Sequence, residues 1–220
     1  MLISSSRSFL FIHIQKTGGS SLHAALHAHF PDLRSFLGTH DTALQALDRL
    51  GEAEYGRYYK AAFVRNPWAR LVSWYMMIVQ VSQHLSWWER LRRRRYVRLW
   101  QYVHANSGSF EEFVRNCTAE IADVDGTKSF VRNQVDYLTD RSGTSIVDFV
   151  GRYETLEADA QRLFAELALP PPAIPHVNAS RHDHYARYYT DDLADLVRTR
   201  FHRDIEAFGY EFERLQPLVT

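Results

Sequence analysis

The chain has 220 residues, 45% hydrophobic and 14% aromatic, enough apolar material for a sizeable core and unlike a disordered chain. Lys+Arg and Asp+Glu number 26 each, so net charge gives no argument for a polyanionic partner. A lone Cys117 excludes an internal disulfide framework. No apolar run is long enough to span a bilayer, and no cleavage pattern follows the first one, so a soluble, cytoplasmic protein with one domain over residues 1–220 is expected.

The apolar run Phe9-Leu10-Phe11-Ile12-His13-Ile14 predicts a buried parallel strand. It meets Gln15-Lys16-Thr17-Gly18-Gly19-Ser20-Ser21, and a helical pattern follows with Leu22, Ala25, Leu26 and Phe30 on one side. Strand, glycine turn and helix N-terminus together suit a phosphate. Glycines admit the ligand close to the backbone, amide N–H groups point into the turn, and the helix dipole adds positive potential. Lys16 adds a full charge, and Thr17, Ser20 and Ser21 add hydroxyls. The nucleotide P-loop places its lysine after the glycines, whereas Lys16 precedes them. A tight strand-to-helix turn without a ligand fits the same residues. His23 and His27 share a face of the helix, but with no cysteine nearby and no obvious third carboxylate they are read as surface imidazoles, not a metal site.

A loop then leads to a short helix beginning at Ala43, with Thr39 or Asp41 as its expected N-cap. His40 sits in that loop. It fits either a packed surface histidine or a general base, because an imidazole titrating near neutrality can accept a hydroxyl proton. A second strand over 58–64 runs into Arg65-Asn66-Pro67-Trp68-Ala69-Arg70-Leu71-Val72-Ser73-Trp74-Tyr75, with Pro67 in the first turn of a helix. A strand-end Arg65 and a hydroxyl at Ser73, two turns into that helix, can converge on one phosphate.

Two segments in this order resemble the sulfotransferases. Q-K-T-G-G-S-S is similar to their 5′-phosphosulfate loop, and V-R-N-P-W-x-R-x-V-S-x-Y to their 3′-phosphate element. The resemblance is to the carbohydrate-type family that includes heparan and chondroitin sulfotransferases and many bacterial relatives. It implies an α/β fold, a single P-loop-like domain with a central parallel sheet flanked by helices. It implies 3′-phosphoadenosine 5′-phosphosulfate (PAPS) as donor, no metal, and an acceptor hydroxyl on a glycan or glycoconjugate. Lys16, Thr17, Gly18, Gly19, Ser20 and Ser21 would then hold the 5′ side, Arg65 and Ser73 the 3′-phosphate, and Lys16 would also offset charge on the leaving oxygen. Relatives of this branch carry a catalytic histidine in the loop after the first helix, which makes His40 the candidate base. Glu54 is an alternative, because other sulfotransferases use a glutamate, and His13 is a third, with a structural role favoured.

Residues 80–108 read as a helical insertion in which Arg90, Arg92, Arg93, Arg94, Arg95 and Arg98 interleave with Trp87, Trp88, Tyr96, Trp100 and Tyr102. A solvated arginine face is favoured there over an acceptor-binding wall, and no nucleic-acid partner is expected. Ser109 opens a capping-box helix. Gln134 and Tyr137 are candidates to line the cleft, and 145–153 predicts a third strand. Thr155 is the expected cap of a helix to Leu167, and Thr190 of a last helix ending at Gly209. In the family a loop near Ser180 and Arg181 closes over the nucleotide, so those two are candidate donor contacts. Two rival classes stand beside the sulfotransferase: a P-loop-like phosphotransferase, and a non-catalytic module binding nucleotides or anionic glycans. The sequence assigns no oligomeric state.

Overall fold

The computed structural model describes residues 1–84, 94–119, 129–174 and 183–214, with backbone alone for 81–84, 94–98 and 129. In chain order the elements are β1 Leu2–Ser4, β2 Phe9–Ile12, α1 Gly19–His29, β3 Arg34–Ser35, α2 Ala43–Leu50, α3 Glu52–Tyr55 and β4 Tyr59–Val64. Then follow α4 Pro67–His84, α5 Arg94–Asn106, α6 Phe110–Cys117, β5 Phe149–Arg152, α7 Leu156–Glu166, α8 Asp191–Arg200 and α9 His202–Phe208. The architecture is α/β. The chain divides into two compact units, Met1–Arg65 with Gln134–Ala179, and Asn66–Asn133 with Ser180–Thr220.

The first unit is built on a five-stranded sheet of order β3-β1-β2-β4-β5. The parallel core that the apolar runs predict is β2, β4 and β5, with Ile12 opposite Ala62 and Val64 opposite Arg152. On the other side of β2, β1 and β3 are antiparallel additions. Neither was expected, because runs of three and two residues carry no readable period. Phe9, Phe11, Ala61, Phe63 and Phe149 turn to one face, where Leu22, Leu26 and Phe30 with Leu163 and Phe164 cover them. The Phe9 and Phe30 rings stack at 5.0 Å. Each such buried side chain contributes about 1.5–3 kcal/mol. At the start of β4 the buried Lys60 ammonium lies 2.8 Å from the Asp148 carboxylate, which also accepts the Lys60 N–H at 2.7 Å.

Local chemistry moves several predicted boundaries. The cap of α2 is Thr42, not Thr39 or Asp41. Its hydroxyl accepts from Gln45 N–H and the Gln45 side chain accepts from Thr42 N–H, a complete capping box. The third core strand begins at Phe149, because Ser145 is committed to a bridge with Thr139.

In the second unit, Asn66 Oδ1 accepts from the N–H groups of Trp68 and Ala69 and so caps α4. Trp68 is fully buried and donates its indole N–H to the Ala194 carbonyl at 2.9 Å. Tyr75, Phe110, Phe113 and Phe130 form an aromatic cluster beside α4 and α6. Ser109 caps α6 by accepting from Glu112 N–H, but the Glu112 carboxylate takes the Gly108 N–H, so the expected box is half made. Arg200 closes the other end of α6, donating to the Val114 and Arg115 carbonyls and to Thr118 Oγ1. Thr190 caps α8 as predicted, but the last helix is two, broken at Phe201 with φ −110 and ψ 26. Gly209 ends it in the left-handed region. Of the predicted insertion, α4 reaches His84 and α5 spans Arg94–Asn106, while residues 85–93 lie outside the described residues. Among the described residues no helix is long and apolar enough to cross a membrane.

Candidate active site

The segment from Gln15 to Ser21 follows β2 and runs into the first turn of α1. Thr17 is buried, and its hydroxyl donates to the Ile14 carbonyl at 2.8 Å, which spends that group on the turn. Lys16 adopts φ 68 and Gly18 φ 83, so the backbone enters the left-handed region twice. The Gly18 carbonyl accepts from Ser21 and Leu22 N–H groups and starts α1. The N–H groups of Gly18, Gly19 and Ser20 find no acceptor among the described residues. A helix start with three such donors, a nearby ammonium and an exposed Ser20 is chemically an anion cradle.

Arg65 follows β4 and closes on this loop. Its Nη1 donates to the Lys16 carbonyl at 3.2 Å, and its guanidinium lies 4.0 Å from the centre of the Tyr153 ring. Burial first, then the Arg65 charge, pulls the Lys16 ammonium down to about 8. Tyr153 was not anticipated, although the topology places it: it follows β5 as Arg65 follows β4, and its N–H donates to Val64 carbonyl at 2.8 Å. The same ring packs under the loop, within 3.1 Å of where a Gly18 Cβ would lie. Gln134 holds the Arg65 backbone from both sides, accepting its N–H at 2.8 Å and donating to its carbonyl at 2.7 Å. Tyr137 donates its hydroxyl to Gln15 Oε1 at 3.0 Å. The two residues expected to line a cleft are thus buried and hydrogen-bonded to Arg65 and Gln15.

His40 is half-buried before α2, and its Nδ1 lies 3.0 Å from the His13 carbonyl. A carbonyl only accepts, so Nδ1 carries the proton and the neutral ring has its lone pair on Nε2. The His13 ring lies 4.7 Å from that of His40. Burial, then the His40 neighbour, pushes His13 down to about 3, which leaves it neutral and a weak base. Glu54 belongs to α3 and forms an ion pair with Arg57 at 3.2 Å, at a position exposed on both partners.

The structure therefore gathers Lys16, Thr17, Gly18, Gly19, Arg65, His13 and His40 within the first unit. Ser73 is buried on α4 in the second unit. Ser180 and Arg181 lie outside the described residues. His23 and His27 pack ring to ring at 4.5 Å on α1. Among the described residues no group of three metal-ligating side chains occurs.

A family model described as "Sulfotransferase family" matches residues 1–211 of the chain. An uncharacterized protein of Archaeoglobus fulgidus is 25% identical over 141 residues, which cover 64% of this chain and 92% of that protein. No solved structure gives a significant match.

Proposed function

The chain belongs to the sulfotransferase family, and from that premise we propose that it moves the sulfuryl group of PAPS to an acceptor hydroxyl, on a carbohydrate. The observation that carries this reading is the loop at the α1 N-terminus. Three N–H groups without acceptors among the described residues stand beside a lysine whose carbonyl is tied to a buried arginine. That set suits a 5′-phosphosulfate flanked by cations. A family match spanning both compact units supports one sulfotransferase domain over residues 1–220, with its helical insertion near 80–108.

The donor supplies the activated sulfuryl group. Lys16 neutralises charge growing on the bridging oxygen as the sulfur–oxygen bond breaks, and the amides of Gly18, Gly19 and Ser20 hold the 5′-phosphate, the Ser21 N–H being spent on the Gly18 carbonyl. Arg65 and Ser73 take the 3′-phosphate, with Ser180 and Arg181 as further candidate donor contacts. His40 Nε2 accepts the acceptor's hydroxyl proton as the new oxygen–sulfur bond forms. His13, held near 3, is too weak a base for that role, and Glu54 is engaged with Arg57. The reading requires no metal and places the reaction in the cytoplasm, on a glycan or glycoconjugate.

Calorimetric titration with 3′,5′-adenosine bisphosphate against ATP tests the reading. The bisphosphate should bind more tightly, and ATP winning would move the chain to phosphoryl transfer. Lys16→Ala and His40→Ala should abolish sulfate transfer to a glycan panel, whereas Arg65→Ala should mainly weaken donor affinity. Activity untouched by His40→Ala would favour a binding module.

A further inference from the structure

His13 makes contacts that the roles above leave unexplained. Its main-chain carbonyl accepts from His40 Nδ1 at 3.0 Å, and its ring meets the His40 ring at 4.7 Å with the planes 58° apart. Its Nε2–Cδ2 edge faces α1, where a Cβ on Gly19 would lie 1.9 Å from Nε2. Phe11 stacks behind it at 6.1 Å. The imidazole thus fills the space between His40 and the first residue of α1. Being neutral through the working pH range, it puts no competing charge beside His40.

We infer that His13 is a positioning residue: a neutral ring wedge that holds the His40 imidazole beside the 15–21 loop, in the tautomer with its lone pair on Nε2. The inference rests on His40 being the base of the proposed reaction. One residue then serves both ends of the chemistry. Its carbonyl accepts the Nδ1 proton that defines the tautomer, and its ring holds the His40 imidazole against that carbonyl and at its distance from the anion cradle. It also gives a reason for glycine at position 19, since any Cβ there would expel the wedge.

Replacing the ring while keeping the backbone carbonyl tests whether the ring is what holds His40 on that carbonyl. His13→Ala should lower kcat about 100-fold, as misplacing a catalytic group by about 1 Å does, while affinity for 3′,5′-adenosine bisphosphate stays unchanged. His13→Phe, which keeps a flat ring between Phe11 and His40, should recover most of kcat. Nitrogen-15 spectra of the resting enzyme give a readout independent of turnover. The wild type and the Phe variant should show His40 as the single Nδ1–H tautomer, and the Ala variant a mixture. If the Ala variant does not fold, His13→Leu carries the same comparison.

An unchanged His40 tautomer in the Ala or Leu variant overturns the wedge. So does a Phe variant as slow as the Ala variant, which would make the ring nitrogens direct partners of the reactants. Failure of the wild type to bind the bisphosphate sinks the proposed function instead, and the spectra still decide on His13.

Discussion

Arg65 Nη1 donates to the carbonyl of Lys16 at 3.2 Å, across a sequence separation of 49. The bond joins the loop after β2 to the residue after β4. The Arg65 charge also opposes that of the Lys16 ammonium. A residue bearing a side chain in the left-handed region, as Lys16 is at φ 68, gives up about 1 kcal/mol. Backbone strain and charge crowding therefore fall on the residue to which the chemistry is assigned.

Removing that charge should stabilise the protein. The Lys16 ammonium titrates at about 8 when folded, against an ordinary 10.5. Between those values the unfolded chain holds a proton that the folded chain has released, so stability rises with pH across the window. Below pH 8 the penalty is present in full. Lys16→Met should thus shift the urea midpoint upward at pH 7, while eliminating turnover, and the advantage over wild type should shrink by pH 10. A midpoint at pH 7 equal to or below the wild type's would contradict the assignment.

Gly19→Ala should act through His13. The added methyl would sit 1.9 Å from His13 Nε2, well inside contact, and the ring has Phe11 behind it. Overpacking of this kind destabilises by about 1–3 kcal/mol. The double variant Gly19→Ala with His13→Ala should recover part of that loss, and a strictly additive pair of urea-unfolding energies would show that the two positions do not meet.

Gln134→Leu should be costlier than its lack of charge suggests. The Gln134 amide is the partner of both the N–H and the C=O of Arg65, and each buried backbone group left unmatched forfeits about 1–3 kcal/mol. A loss of about 2–6 kcal/mol is expected by denaturant unfolding, with weaker bisphosphate binding in the fraction that stays folded. A Leu variant as stable as wild type would mean that water or another side chain takes over both bonds.

How much of this was legible beforehand divides along the range of the interaction. The β2–loop–α1 unit and the β4–Arg65–α4 unit were readable because their signals are local: an apolar run, then glycines or a proline at a helix start. The short strands β1 and β3 carried no period, and Thr42 won the cap of α2 over Thr39 and Asp41 through a reciprocal bond with Gln45. The supports of the site were hidden for a different reason. Tyr153 reaches Arg65 only once parallel strand ends are aligned, and Gln134, expected at the cleft, binds the Arg65 backbone across a separation of 69 residues that no local signal announces. Tyr153 was recoverable from register, since strand ends of a parallel sheet lie side by side.

Asn66 tests whether the arginine motif is a structural phrase as well as a ligand set. Its Oδ1 accepts from Trp68 N–H at 3.0 Å and from Ala69 N–H at 3.4 Å, while its Nδ2 donates to the Glu211 carbonyl at 3.0 Å. The side chain therefore caps α4 and ties the segment after α9 to its start. Asn66→Ala removes both functions, and loss of a cap alone destabilises by about 0.5–2 kcal/mol. Asn66→Asp keeps the acceptor, favours the α4 dipole and loses the bond to Glu211. The Asp variant should therefore unfold at a urea concentration between those of wild type and Ala. If Asp is no better than Ala, the bond to Glu211 and not the cap is what Asn66 contributes to stability.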